Sequence, residues 1–177
     1  MSHEINGVGM PDNWQRLWAP HRLDYLRGEN RPLDGNDVDC PFCRIPSLTD
    51  EEGLVVARGK SAYVVMNLYP YNPGHLLVCA YRHVADLTDL TDEERHEITD
   101  LSAHAMKTVR KVSGANGFNL GMNQGAISGA GVADHIHQHV VPRGRAYQPI
   151  APLDQPSLSA HPQCFRLVVA DRARWLQ

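Results

Sequence analysis

The interpretation of this chain is decided by one stretch, His135-Ile136-His137-Gln138-His139-Val140-Val141-Pro142-Arg143. Its three histidines alternate with other residues, and a period of two is the pattern of a β-strand. We therefore expect the imidazoles to line one face, with same-face neighbours roughly 7 Å apart, and Ile136, Gln138 and Val140 to face the opposite way. That spacing suits one ring that attacks a phosphorus atom between rings that bind or protonate phosphate oxygens. The alternative is an exposed polar strand that is rich in histidine by chance.

The overall composition is that of a globular domain. The chain has 177 residues, of which 42% are hydrophobic and 21% are charged, and its net charge is −3. This weak negative charge argues against nucleic acid or a membrane surface as a partner. No apolar run approaches the ~20 residues of a membrane span, and the first residues lack the core of a signal peptide. We therefore expect a cytoplasmic protein, in which four cysteines do not form a disulfide framework.

The pattern divides the chain into three parts. Residues 1–39 are expected to form an N-terminal arm with short helices, the helical pieces falling within residues 14–27. Residues 40–143 carry the periodic segments and are expected to form the domain. Residues 144–177 lack clear periodicity until residues 165–170, so we expect a C-terminal segment of uncertain structure with one short strand or helix.

Strands are predicted on both sides of one long helix. Two β-rich segments, 54–57 and 62–66, flank Arg58-Gly59-Lys60-Ser61, which is the signature of a hairpin. Residues 75–80 and 117–122 are predicted to form further strands.

The helix is predicted from its ends. Thr91 is a suitable N-cap and is followed by three acidic residues, while Gly114 is a suitable C-terminal stop. Apolar residues recur between them at helical spacing.

A small-residue loop, Asn123–Gly131, leads toward the histidine stretch. Glycines allow backbone N–H groups to approach an anion closely, so this loop is a candidate phosphate-binding nest.

A C-x-x-C motif, Cys40-Pro41-Phe42-Cys43, opens the central part. It is typical of metal ligation or redox chemistry, and the alternative is two small buried thiols. Redox motifs stand at the start of a helix, whereas residues 45–53 do not continue a clean helical pattern.

Residues 135–141 resemble the signature of the histidine triad (HIT) superfamily of nucleotide hydrolases and transferases. The resemblance runs from about Cys40 to Arg143, although Gln138 stands where the pattern usually has an apolar residue. Asn67 precedes His75 by eight residues, as in the branch that handles dinucleoside polyphosphates, where this asparagine contacts the nucleotide. The stretch from residue 54 to 78 resembles actinobacterial diadenosine tetraphosphate phosphorylases more closely than it resembles that branch as a whole. The family's Trp-Gly-Gly-Asp-type continuation after Arg143 is absent.

The resemblance implies an α+β fold and a set of site residues. A five-stranded antiparallel sheet would carry the long helix, and two protomers would form a homodimer with a continuous ten-stranded sheet. By position, His137 would be the nucleophile that becomes nucleotidylated, and His139 would hold phosphate oxygens. The catalytic residues implied are His137, His139 and His135, and the substrate-binding residues implied are Asn67, His75, Asn123, Ser128, Gly129 and Gly131.

The implied activity is cleavage of dinucleoside polyphosphates, with an adenine nucleotide as substrate and either water or inorganic phosphate as acceptor. Two alternatives stay open: a purine nucleoside phosphoramidase, and a nucleotide-binding module in which the triad only binds.

Some HIT proteins hold a structural zinc with four residues that this chain also has, Cys40, Cys43, His83 and His135. Two thiolates and two imidazoles make a closed tetrahedral site, in which no position remains for a catalytic water. The resemblance therefore implies structural zinc and no organic cofactor. The alternative is a hydrogen-bonded His83 beside reduced cysteines.

Overall fold

The computed structural model describes residues 40–143, and our predictions for residues 1–39 and 144–177 lie outside them. The helices are α1 (Pro41–Arg44) and α2 (Asp92–Ser113), and short 3-10 turns span Ile45–Ser47, Leu87–Asp89 and Ala126–Ser128. The strands are β1 (Val55–Arg58), β2 (Ala62–Met66), β3 (Leu76–Ala80), β4 (Gly117–Met122) and β5 (His137–Arg143). Within residues 40–143, no helix has the length and apolar character needed to span a bilayer.

All five strands join one antiparallel sheet in the order β1-β2-β3-β5-β4. This confirms the predicted α+β class, with five antiparallel strands and one long helix. Strand β5 is the last of the described strands along the chain but lies in the interior of the sheet, between β3 and β4. Consequently, the histidine stretch is supported by hydrogen-bonded neighbours on both sides.

Helix α2 has the ends that the sequence predicts. The Thr91 side chain accepts a hydrogen bond from the Glu94 backbone, and the Glu94 side chain accepts one from the Thr91 backbone, which completes a capping box. Gly114 ends the helix in the left-handed conformation at φ 67°, which glycine adopts without steric cost.

A carboxylate on α2 fastens the helix to the β1–β2 hairpin. Glu97 accepts hydrogen bonds from the backbone N–H groups of Lys60, Ser61 and Ala62 and from the Ser61 hydroxyl. A Cβ atom at Gly59 would lie only 2.5 Å from the Glu97 carboxylate and 2.9 Å from the Ala62 backbone carbonyl, so this turn requires glycine.

The sheet has two differently covered faces. On the helix side, α2 packs onto an apolar core that includes Val64, Val78, Ile98, Leu101 and Val140. On the other side, α1 and its neighbours cover a second cluster, which includes Cys40, Phe42, Val55, Tyr63, Val65, Leu77, Cys79 and Val132. Cys79 is fully buried in this cluster.

Candidate functional site

Strand β5 presents different chemistry to the two sides of the sheet. Ile136 and Val140 are buried in the helix-side core, as the alternation predicts. Gln138 also lies on the helix side, beside Ile98, but it is only half-buried, and its amide donates a hydrogen bond to the Gly121 carbonyl on β4. His137 and His139 lie on the opposite side, with ring centroids 4.9 Å apart.

His135 precedes the strand and is fully buried in a cluster of four potential metal ligands, Cys40, Cys43, His83 and His135. One ligand atom from each residue lies within 4.8 Å of the other three. The Nε2 atom of His135 lies 2.9 Å from the Ala80 carbonyl, which can only accept a hydrogen bond. The proton of His135 therefore sits on Nε2, and the Nδ1 lone pair faces the two cysteine sulfurs at 3.4 Å.

The geometry of this cluster fits a tetrahedral zinc ion. Zinc bonds of about 2.3 Å to sulfur and about 2.0 Å to nitrogen place neighbouring sulfur and nitrogen ligands about 3.5 Å apart. The observed sulfur–nitrogen distances are 3.2 Å for Cys43–His83 and 3.4 Å for both cysteines to His135. A carbonyl that accepts from the second nitrogen of a ligating histidine is also the usual arrangement at metal sites.

His137 is buried beside this cluster, and its tautomer is fixed by the backbone. Its Nδ1 atom lies 2.8 Å from the His135 carbonyl and must donate to it. The Nε2 atom therefore carries the lone pair of the neutral ring. Burial lowers the pKa of His137 below its ordinary value, and the hydrogen bond to His135 offsets this only in part. The neutral, nucleophilic form is thus favoured at neutral pH.

A chain of hydrogen bonds fixes the tautomer of His139 in the same way. The backbone N–H of Tyr71 donates to Nδ1 of His75 at 3.1 Å, so the proton of neutral His75 sits on Nε2. This proton is donated to Nδ1 of His139 at 2.9 Å. The proton of neutral His139 is then on Nε2, and His139 can donate there to an oxygen of a ligand.

Two residues of the loop before β3 support this chain. The Tyr71 ring stacks on His75, with centroids 5.0 Å apart and planes inclined by 17°. The side-chain Oδ1 atom of Asn67 accepts a hydrogen bond from the Tyr69 backbone N–H at 2.9 Å, which orients Nδ2 of Asn67 toward Nδ1 of His75 at 3.2 Å.

A cavity of about 260 Å³ opens beside His137 and His139. Its walls are mostly apolar, with a few polar groups, as is usual for small-molecule sites. The lining residues are Pro41, Phe42, Arg44, Ile45, Leu48, Glu52, Gly53, Leu54, Val65, Met66, Asn67, Leu68, Tyr69, Tyr71, Leu77, Asn123, Gly129, Gly131, Val132, His137 and His139.

Comparison with known proteins identifies the family. A family model described as the HIT domain matches residues 49–146. The chain belongs to the HIT family.

Among the relatives of this HIT protein is the AP-4-A phosphorylase of Mycobacterium tuberculosis, which is 51% identical over 140 residues, covering 77% of this chain and 72% of the relative. The asymmetrical bis(5'-nucleosyl)-tetraphosphatase of Schizosaccharomyces pombe is 35% identical over 92 residues, covering 52% of this chain and 50% of the relative. A Zn-bound histidine triad family protein from Mycobacterium smegmatis shares the fold, with a TM-score of 0.61 and 24% identity over 78% of this chain and 96% of that one.

The structure brings together most of the residues that the sequence singled out in this HIT domain. Asn67, Asn123, Gly129 and Gly131 line the cavity with His137 and His139, as a ligand-binding role requires. His75 lies behind His139 and contacts it.

Besides His75, two of the predicted catalytic and substrate-binding residues lie apart from the cavity wall. Ser128 is exposed, and its hydroxyl donates to the Gly125 carbonyl within its own loop. His135 contributes its backbone carbonyl to His137, while its side chain belongs to the metal cluster.

Sequence reasoning missed two aromatic residues of the site. Phe42 packs against the rings of His135 and His137, and Tyr71 packs against those of His75 and His139. The position of Phe42 inside the C-x-x-C motif was the available signal, because both neighbouring cysteines point to the metal cluster.

Proposed function

We propose that this HIT protein cleaves diadenosine tetraphosphate-like dinucleoside polyphosphates by phosphorolysis, through a nucleotide attached covalently to His137. The observation that carries the proposal is the tautomer of His137, whose Nε2 lone pair results from the hydrogen bond to the His135 carbonyl. The 51% identity with a protein named AP-4-A phosphorylase supports both the substrate class and phosphate as the acceptor.

In the first step, Nε2 of His137 attacks the α-phosphorus of one nucleoside. The bond from this phosphorus to the bridging oxygen breaks, and a nucleoside triphosphate leaves when the substrate is a tetraphosphate. Neutral imidazole is a good nucleophile at neutral pH, and attack makes His137 cationic. The His135 carbonyl that accepts from Nδ1 stabilises this charge.

His139 would assist by donating Nε2–H to an oxygen of the reacting phosphate. Its tautomer suits this role because His75 donates to its other nitrogen. The contact between Tyr71 and His75 in turn keeps His75 in the donating orientation. Prearranged donors of this kind stabilise the charge that builds up on phosphate oxygens in the transition state.

The Asn123–Gly131 loop would bind further phosphate oxygens. Gly125 and Gly129 both have positive φ, at 73° and 78°, which is the conformation in which successive N–H groups form an anion-binding nest. Gly129 and Gly131 line the cavity beside the two histidines. The role of this loop is therefore positioning of the polyphosphate next to His137.

In the second step, an oxygen of inorganic phosphate attacks the nucleotidyl phosphorus, and the bond to Nε2 breaks. Protonated imidazole is a good leaving group, and the products are a nucleoside diphosphate and regenerated His137. Attack by water would instead release a nucleoside monophosphate.

The acceptor is tested by product analysis with diadenosine tetraphosphate, with and without inorganic phosphate. We expect ADP and ATP, formed only when phosphate is present. Formation of AMP and ATP without phosphate would replace phosphorolysis by hydrolysis, the reaction of the Schizosaccharomyces pombe relative named a tetraphosphatase. If neither reaction occurs while AMP still binds, the proposal fails, and a purine nucleoside phosphoramidase or a binding module takes its place.

We also propose that Cys40, Cys43, His83 and His135 hold a structural zinc ion. The four-ligand set and its sulfur–nitrogen distances of 3.2–3.4 Å support zinc. When bound, the ion would connect α1 to His135, just before β5, and would take no part in the bond-breaking steps. Zinc content after purification should fall in the Cys43→Ser variant and persist in Cys79→Ser, since Cys79 is buried outside the cluster. Equal zinc contents would contradict this assignment.

A homodimer is proposed through the edge strand β4. In the described sheet, β4 pairs with β5 alone, and its Leu120 is 51% exposed, whereas the opposite edge strand β1 is short and largely buried. An exposed, regular edge is ready to pair with a second copy and would extend the sheet to ten strands. Light scattering should show a dimer that Leu120→Lys weakens, and a monomeric wild type would exclude this arrangement.

A further inference from the structure

The short helix α1 belongs to both the metal cluster and the cavity. Cys40 is its N-cap and Cys43 lies within it, and both contribute ligand atoms to the cluster. The other three residues of the helix, Pro41, Phe42 and Arg44, line the cavity. Helix α1 is therefore a wall that the metal cluster and the cavity share, and it is four residues long.

Phe42 is the point at which the two sites are in direct contact. Its ring centroid lies 5.5 Å from that of His135, a ligand in the cluster, and 4.8 Å from that of His137. The side chain is only 8% exposed, so it has little room to rotate without disturbing both histidines. A shift of α1 would thus be transmitted to the cavity wall and to His137.

Other hydrogen bonds hold α1 and the segment that follows it in place. After α1, the Arg58 guanidinium donates hydrogen bonds to the carbonyls of Pro46 and Leu48 and to the Asp50 carboxylate. These bonds hold the segment that follows α1. Within α1, the Phe42 carbonyl accepts a hydrogen bond from the Tyr63 hydroxyl at 2.7 Å.

Helix α1 itself contributes little to its own stability. It is a single turn, it has no side-chain hydrogen bond at its N-cap, and isolated turns are unstable in water. Hydrogen bonds between thiols and imidazoles are weak compared with four metal–ligand bonds. Bound metal would therefore add order to α1 beyond that given by the packing of Phe42 and the hydrogen bond from Tyr63.

We propose that Phe42 is a positioning residue through which metal bound at Cys40, Cys43, His83 and His135 raises the affinity of the cavity for a nucleotide. The inference rests on the proposed nucleotide and zinc sites. Thermodynamic linkage requires the effect to be reciprocal, so bound nucleotide raises metal affinity by the same factor. Couplings between sites are typically about 5- to 150-fold, and a shared one-turn wall leads us to expect about tenfold.

The test is a calorimetric titration of AMP into zinc-loaded and chelator-treated protein, with circular dichroism to follow folding. We expect removal of zinc to raise the Kd for AMP about tenfold, and saturating AMP to tighten zinc binding about tenfold against a competing chelator. Equal AMP affinity in the two folded forms would overturn the inference. If zinc-loaded protein does not bind AMP at all, the proposed nucleotide site fails and the inference fails with it.

Two variants separate a path through Phe42 from a general loss of affinity. Phe42→Leu should retain zinc, bind AMP more weakly than wild type when zinc-loaded, and show little further change when zinc is removed. The matched control is Val132→Ala, which removes apolar surface from a cavity residue outside α1. This control should bind AMP more weakly but keep the full dependence on zinc.

The Phe42→Leu variant also tests the inference if zinc removal unfolds the protein. Zinc-loaded Phe42→Leu is then compared directly with zinc-loaded wild type. An unchanged AMP affinity would overturn the inference in that case. Where the zinc-free protein stays folded, a Phe42→Leu protein that retains the full wild-type dependence on zinc would also overturn it.

Discussion

The two faces of the sheet are covered by different secondary-structure elements and different kinds of residues. On one face, the 22-residue helix α2 buries an apolar core and is closed at both ends by its own capping residues. On the other face, a one-turn helix and loops cover histidines, cysteines and an open cavity. The first arrangement is typical of elements that stabilise a fold, and the second of elements that bind ligands. In this domain, the helix-side face mainly stabilises the fold, whereas the opposite face carries the candidate functional site.

Strand β5 contributes side chains to both faces of the sheet. Its alternation sends Ile136 and Val140 into the helix-side core and His137 and His139 toward the cavity. Because β5 is hydrogen-bonded on both sides, by β3 and β4, the histidines are held on a rigid support. Substitutions on the two faces of this sheet should therefore have separable effects.

The largest effect is expected on the cavity face, for His137→Asn. Asparagine cannot act as the nucleophile, so turnover of diadenosine tetraphosphate should fall by about 10⁴-fold or more while AMP still binds. The measurement is initial rate together with a calorimetric titration of AMP. The matched control is His96→Asn, because His96 is exposed on α2, and its rate should equal that of wild type. Comparable turnover in the two variants would remove His137 from its proposed role.

On the helix face, Ile98→Ala should reduce stability and leave the chemistry unchanged. Ile98 is 3% exposed in the helix-side core, and truncation of such a side chain costs about 2–5 kcal/mol of unfolding free energy. Ile127→Ala is the matched control, since Ile127 is fully exposed and its replacement should change stability by less than about 0.5 kcal/mol. Chemical denaturation measures both, and kcat of folded Ile98→Ala should equal that of wild type. A loss of kcat in folded protein would show that the two faces are not separable.

A smaller effect is expected for Glu97→Gln, which weakens the contact between α2 and the hairpin. Burial raises the pKa of Glu97, but hydrogen bonds from Ser61, Lys60 and Ala62 outweigh it, and the net shift is below the ordinary value of 4.5. Replacement should cost about 1–3 kcal/mol at pH 7, where the carboxylate is charged.

The pH dependence of this variant has a defined sign. A lowered pKa in the folded state means that the stabilisation is complete above the unfolded-state pKa and is lost as pH falls through the folded-state pKa. The difference in stability between wild type and Glu97→Gln should therefore shrink below about pH 4.5. Denaturation curves at several pH values measure it, and a difference that grew on acidification would contradict the assigned role of Glu97.

Much of the fold follows from local sequence signals. Thr91 and Gly114 predicted the ends of α2, and the turn at Gly59 predicted the β1–β2 hairpin. Insertion of β5 between β3 and β4 is different, because it depends on pairing between segments distant in the chain. Gln138 shows the same limit, since its partner is the Gly121 carbonyl on β4.

The site was predictable in its residue types but not in its hydrogen bonding. The alternating histidines predicted that His137 and His139 share one face, whereas the C-x-x-C motif left several uses open and the HIT resemblance implied the four residues of the metal cluster. The tautomers of His137 and His139 depend on the His135 carbonyl and on His75, contacts that no residue pattern specifies. Phe42 escaped notice for the same reason, because its role depends on rings 93 and 95 residues away along the chain.

The most direct test of the account is to trap the covalent nucleotide. Protein mixed with diadenosine tetraphosphate in the absence of phosphate is quenched rapidly under alkaline conditions and analysed by intact mass and peptide mapping. We predict an adenylyl group on His137, which disappears as ADP forms when phosphate is added. Phosphate-dependent turnover with no adduct at any time, or an adduct on His139 instead, would contradict the central role of His137.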